Sequence, residues 1–286
     1  PPLGFAMAMS SAWVRVGVTV AVVGGAAIAT FLVSKLLRKK ERRPRPKKVL
    51  VCVTAFGRFN GVTNNPTEVL LKELPKYLRV SKLPANVSVD RIKLLEVSGE
   101  GSLEELTEVR HTAVLGTDEA RVWLHLGVDS ASTGFKLERT AWNEANFRVP
   151  DERGWEPASQ AISQALGKTS AYLRTRLPIG RLCKLLKRQG FNVSVSNDPG
   201  RFVCNWIFFQ SLCACREADA QTDDLGFCEE TAMFLHVPPF EAAAKDVQLS
   251  LVRAVLTAIG DEVCGPIVVA PRPEIFDLTE VPMDVK

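Results

Sequence analysis

The stretch VLVCVTAF (49–56), followed after a polar loop by NPTEVLLKEL (65–74), decides the fold class. Eight successive residues that are mostly apolar and β-branched read as a strand buried on both faces. Asn65 then offers an N-cap side chain, Pro66 suits the first helical position, and Glu68 follows three residues after the cap. A buried strand running straight into a capped helix is the opening unit of a parallel α/β sheet. The same alternation continues outward. VSVDRIKLLEV (87–97) reads as a strand, Ser102–Leu115 as a helix, RVWLHLGV (121–128) as a strand and FKLERTAW (135–142) as an extended segment. Leu177–Gly190 forms an amphipathic helix, FNVSVS (191–196) a strand, and a further helix starts near Arg201 after the turn NDPG. TAMFLHV (231–237) is a strand stopped by Pro238 and Pro239, and Ala242–Val263 is a long helix. The expected architecture is a three-layer α/β/α sandwich with a mainly parallel central sheet over residues 49–264.

The flanks differ from this body. Residues 16–34, VGVTVAVVGGAAIATFLVS, carry no charge and show no polar face. As a helix they extend about 28 Å, close to the hydrocarbon thickness of a bilayer. They are expected to be one transmembrane helix behind a short segment 1–15. Nine basic residues occupy the spacer 35–48, where Pro44 and Pro46 favour extended chain. That charge places the following domain on the cytosolic side and suits anionic headgroups. Residues 265–286, rich in proline and acid, read as a tail. The formal charge of +4 is therefore divided, with +9 in residues 1–48 and −5 in the remainder. An acidic body gives no support to nucleic-acid binding. Seven cysteines, an odd number, fit a reducing compartment.

The loop TAFGRFNG lacks a phosphate-binding glycine pattern. Cys213, Cys215 and Cys228 do not complete a four-ligand metal set. Three histidines are present. His111 sits in a polar helix and reads as solvated, and His125 lies inside a strand and reads as structural. His236 stands at the C-terminal end of an apolar strand, the edge where α/β proteins collect ligands and catalytic groups. Cys204 falls in the first turn of a helix after a strand and the tight turn SNDPG, which aims helix-start N–H groups at the sulfur. From the residues alone, such a cysteine is either a buried packing residue or a nucleophile.

Four segments together resemble the pyroglutamyl-peptidase I family of cysteine peptidases, with wording closest to plant members. These are TAFGRFNGVTNNPT (54–67), HLGVDSASTGFKLERTAWNEANFRVPDERGWEP (125–157), SNDPGRFVCNWIFFQSL (196–212) and FLHVPP (234–239). The resemblance implies a catalytic triad of Glu138, Cys204 and His236, with no metal or cofactor. It implies that Phe56 and Phe59 line a slot for the five-membered lactam and that Asn65 contacts the substrate side, beside its role as a helix cap. Arg148 matches the arginine of the family's RxPD turn. The expected substrates are peptides with an N-terminal pyroglutamate. The family includes monomers and tetramers, so a homo-oligomer is among the states it allows. Three departures stand out: Ala55 for a glycine, Arg58 for a proline between the two phenylalanines, and Pro199 for an alanine. The stretch 215–230 reads as an inserted acidic loop. Two rival functions follow, an inactive relative that binds blocked peptide termini at a membrane and a hydrolase of another lactam or amide.

Overall fold

In a computed structural model the described residues are 45–59, 64–221 and 230–265. The expected membrane span 16–34, the segment 1–15, most of the spacer and the tail from 266 onward lie outside them. Among the described residues no helix is long and apolar enough to cross a membrane.

The elements run β1 (Lys48–Phe56), α1 (Pro66–Val80), β2 (Val87–Leu95), α2 (Gly99–His111), β3 (Glu119–Val128), β4 (Phe135–Glu138) and β5 (Thr140–Trp142). A 3₁₀ turn (Gln164–Leu166) leads to β6 (Tyr172–Arg174), α3 (Ile179–Arg188), β7 (Val193–Ser196), α4 (Val203–Gln221), β8 (Glu230–Val237) and α5 (Lys245–Cys264). Six strands form the main sheet in the order β2-β1-β3-β8-β4-β7. Strands β2, β1, β3 and β8 are parallel to one another, β4 is parallel to β7, and in this sheet only the β4–β8 pairing is antiparallel. β5 and β6 make a separate antiparallel pair.

Both faces of the sheet are covered, and β1 shows how. Val49, Val51, Val53 and Ala55 pack with α1, α3 and α5, while Cys52 and Phe56 face the cluster built by α2, α4 and the β5–β6 pair. Side chains alternate across a strand, so a continuous apolar run is what a doubly covered strand requires. The three-layer arrangement follows from this pattern. At α1 the expected cap is present: Asn65 Oδ1 accepts from Thr67 N at 3.0 Å, with Pro66 opening the helix.

Several boundaries differ from expectation. FKLERTAW divides at Arg139, because Arg139 N still bonds Ser196 O (2.8 Å) whereas its carbonyl turns to Thr175 N (3.1 Å), handing the chain from the main sheet to the β5–β6 pair. α2 begins at Gly99 rather than Ser102, since Ser98 is the cap and its Oγ accepts from Gly101 N at 3.0 Å. It ends at His111, short of Leu115. The acidic stretch 215–230 is not all loop: α4 runs on to Gln221 and β8 starts at Glu230, with 222–229 outside the described residues. α5 starts at Lys245 rather than Ala242, because Ala242 and Ala243 N–H groups bond Pro239 O in a preceding turn.

Candidate active site

Cys204 is presented by a turn with little freedom. After β7, Asp198 N bonds Ser196 Oγ (3.1 Å) and Gly200 N bonds Asp198 Oδ1 (3.1 Å). Gly200 has φ of +79°, a left-handed conformation that a glycine adopts without strain, and Pro199 suits the position before it. Arg201 locks the turn from outside, bonding Asp198 at 2.5 Å and Glu144 at 2.9 Å while lying 4.8 Å over the Trp142 ring. α4 then starts at Val203, so Cys204 sits in its first turn, where N–H groups have no carbonyl partner inside the helix.

The following residue, Asn205, fixes that first turn to β5. It is fully buried, accepts from Trp142 N (2.8 Å) and donates to the carbonyls of Trp142 and Glu144 (2.9 Å each). Sequence reasoning did not single it out; the available signal was an amide side chain inside an otherwise apolar helix segment.

His236 and Glu138 meet through strand register. In the antiparallel β4–β8 pair, Lys136 lies opposite His236 and Glu138 opposite Phe234. Glu138 is thus two residues displaced from His236 on the same face, the diagonal distance a long side chain can span. Glu138 Oε1 is 2.8 Å from His236 Nδ1, and its other oxygen has no hydrogen-bond partner although the residue is fully buried. On its other side His236 faces Cys204, which shares the cavity wall with it. Burial pulls the imidazole down, but the neighbouring Cys204 and Glu138 outweigh it and push His236 up to about 10. The floor beneath this chain is Gly127, in register with His236 on β3. A Cβ there would lie 2.6 Å from Phe234 Cζ and 3.0 Å from Cys204 Sγ.

One cavity of about 380 Å³ collects the other candidates. Phe56, Phe59, Asn65 and Arg148 line it together with Cys204 and His236, and Glu138 stands behind the histidine. Asn65 is committed on both ends: Nδ2 donates to Gly57 O (2.8 Å) and Oδ1 accepts from Thr67. It ties the end of β1 to the start of α1, so its cap role is the evident one. Asp129, also at the wall, would be raised by burial but is held below the usual carboxylate range by the Lys136 ammonium at 2.6 Å and the Ala131 N–H. Arg58, the departure that stands between the two phenylalanines, does not line the cavity; its side chain is 74 % exposed and lies 3.9 Å from Glu68.

The remaining candidates lie apart from this cavity or outside the described residues. His125 is fully buried between Thr54 Oγ1 (2.7 Å) and Ser211 Oγ (2.8 Å), and burial pushes it down to about 3, so it stays neutral. His111 is exposed at the end of α2. Burial pushes the Cys52 and Cys213 thiols up to about 12. Among the described residues no three His, Cys, Asp or Glu side chains form a metal-binding group, and Cys228 lies outside them.

Known proteins share this arrangement of sequence and fold. The family profile for pyroglutamyl peptidase matches residues 47–247. A pyrrolidone-carboxylate peptidase of Streptococcus suis (strain 05ZYH33) is 30 % identical over 217 residues, covering 73 % of this chain and 90 % of the relative. One of Streptococcus pyogenes serotype M5 (strain Manfredo) is 33 % identical over 162 residues, or 57 % of this chain and 68 % of the relative. The crystal structure of pyrrolidone carboxyl peptidase from Fervidobacterium islandicum AW-1 superposes with a TM-score of 0.62 at 26 % identity, covering 75 % of this chain and 99 % of that one. That from Thermus thermophilus gives 0.56 at 26 % identity, over 73 % and 98 %. The matched span runs from the start of β1 into α5 and includes every residue of the cysteine–histidine–glutamate chain, so the protein belongs to the pyroglutamyl peptidase family of cysteine hydrolases.

Proposed function

We propose that the protein removes N-terminal pyroglutamate from peptides, with Cys204 as nucleophile, His236 as proton carrier and Glu138 as the group that orients and charges the imidazole. The observation that carries this is the Glu138–His236 hydrogen bond, with His236 and Cys204 together on the wall of a cavity that Phe56 and Phe59 also line. The Glu138 carboxylate favours positive charge on His236, which takes the thiol proton of Cys204. The thiolate attacks the carbonyl carbon that joins pyroglutamate to the next residue. The tetrahedral oxyanion is held by N–H groups of the first turn of α4. As the C–N bond breaks, His236 gives its proton to the departing amine and a thioester remains on Cys204. Neutral His236 then takes a proton from water, the hydroxide oxygen adds to the thioester, and pyroglutamate leaves as the sulfur is released. Phe56 and Phe59 supply flat apolar contact for the lactam ring, and Arg148 faces the same space.

The same proposal keeps residues 16–34 as a membrane anchor with the domain on the cytosolic side, on the strength of their uncharged sequence and basic flank. The test is turnover of a fluorogenic pyroglutamyl amide under reducing conditions by the full chain. Cys204→Ser is expected to abolish release and iodoacetamide to block it. A wild-type protein that fails to turn the amide over would overturn the proposal.

A further inference from the structure

We propose that Arg153 is a positioning residue for this reaction, a latch that holds the segment 146–157 against the substrate cavity; this rests on the function proposed above. The segment matters because Asn146 and Arg148 belong to the cavity wall. Between them, buried Phe147 packs edge-on against Phe202 with ring centroids 4.7 Å apart, and Phe202 lies 6.4 Å from Phe59. A displacement of Phe147 is therefore felt by two aromatic residues that line the cavity.

The segment is fastened to the junction of β2 and α2. Asp151 accepts from Gly99 N (2.8 Å) with one oxygen and from Arg153 N and Trp155 N (2.9 Å each) with the other. Glu152 N bonds Val97 O at 3.1 Å. Trp155 fills the space over Gly99, where a Cβ would come within 2.3 Å of its ring, and stacks edge-on with Phe147 at 5.0 Å.

Arg153 closes this fastening from the outside. Its Nε and Nη2 grip both oxygens of Glu96 at 2.8 and 3.0 Å, Nη1 reaches Glu100 at 3.1 Å and Nη2 reaches Glu104 at 3.0 Å. A lone exposed ion pair contributes little, but a two-pronged guanidinium shared by three carboxylates is the geometry in which such contacts count. The carboxylates also need it. Glu100 and Glu104 are four residues apart on α2 and repel each other, with Glu96 beside them. Hydrogen bonding to Arg153 holds Glu96 below the usual carboxylate range against the opposing effect of burial. Removing the guanidinium thus leaves three facing negative charges at the point where the segment docks, and the contact changes from attraction to repulsion.

Because Arg153 lies outside the cavity lining, its loss acts on the shape of the cavity and not on the reacting atoms. Arg153→Gln in the full chain is expected to raise KM for a pyroglutamyl amide about 5- to 20-fold while kcat changes less than about twofold. Salt gives a sharper signature. Added salt weakens the wild-type latch and raises KM, whereas in Arg153→Gln it screens the repulsion and lowers KM. Arg153→Lys, which keeps the charge but loses the two-pronged grip, should recover part of the effect, and it carries the test if the glutamine variant does not fold. Hydrogen exchange across residues 146–157 reads the latch without turnover and should speed up in Arg153→Gln. Unchanged KM and unchanged exchange would overturn the latch, as would a fall in kcat at constant KM. An inactive wild type in which exchange still responds to Arg153 keeps the latch and defeats the peptidase proposal.

Discussion

Glu138 Oε1 lies 2.8 Å from His236 Nδ1, inside the sheet, while its second oxygen has no partner. A carboxylate buried this way is tolerable only if the imidazole beside it is charged, because an unpaired buried charge is expensive. Glu138→Gln keeps the shape and removes the charge. It is expected to lower kcat by roughly 10²-fold or more, the scale of general acid–base contributions. The rate profile should also shift, with the His236 step moving to lower pH. A glutamine variant with wild-type kcat and an unmoved profile would dismiss the charge as irrelevant.

The same pair predicts how stability depends on pH. His236 has its folded pKa raised to about 10 from the ordinary 6.5. The folded state therefore binds this proton more tightly than the unfolded state does. Its contribution is fully present below about pH 6.5 and is lost as pH rises through the folded value near 10. Thermal melts between these limits should show Tm falling with pH, and the slope should flatten in Glu138→Gln. Equal slopes in the two proteins would assign the dependence to other groups.

How much of this was legible in the sequence depended on whether a feature is local. β1, β3 and β8 announce themselves as continuous apolar runs because both their faces are covered. Cys204 could be placed in a helix-start turn because Pro199 and Gly200 carry their own backbone preferences. Glu138 was different: no local feature of KLER marks it, only the family resemblance singled it out, and the antiparallel register of β4 against β8 brings it to His236. The break at Arg139 was equally hidden, since no turn residue in FKLERTAW marks the point where the hydrogen-bond partner changes. The start of α2 was masked by Gly99 and Gly101, poor helix formers whose presence makes sense only with Trp155 and the Ser98 cap in place. Arg153 finds its three partners across a fold that no spacing rule reports.

Asn205→Ala tests whether the first turn of α4 is held by that one amide. Two hydrogen bonds to Trp142 of β5 and one to Glu144 just beyond it disappear, and the Trp142 N–H and two carbonyls lose their partner in a dry site. The cost should be about 1–3 kcal/mol of stability for the unsatisfied groups. Activity should fall further than the folded fraction does, because Cys204 is the adjacent residue. Urea denaturation with parallel rate measurements separates the two, and a destabilised variant with full kcat would deny Asn205 any part in presenting the thiol.

Gly127→Ala adds a single methyl group where Phe234 and Cys204 Sγ already lie 2.6 and 3.0 Å from its position. Overpacking of this kind costs about 1–3 kcal/mol, and here the groups that must yield include the Cys204 sulfur. The variant should fold, with a lowered Tm, and its thiol should react with iodoacetamide at an altered rate. Unchanged alkylation and turnover would show that Phe234 alone absorbs the methyl.

Arg58 provides the opposite test, a residue expected not to matter. It replaces the proline that the family pattern places between the two phenylalanines, and a cation beside a lactam slot would retune binding if it pointed inward. Its side chain instead lies 3.9 Å from Glu68, is 74 % exposed and stays off the cavity wall. An exposed pair of that length contributes about 0–1 kcal/mol at most. Arg58→Ala should therefore leave KM for a pyroglutamyl amide within about twofold of wild type, because the cavity lining, Phe56 and Phe59 included, is left unchanged. A larger change in KM, in either direction, would mean that the guanidinium swings into the slot when substrate binds.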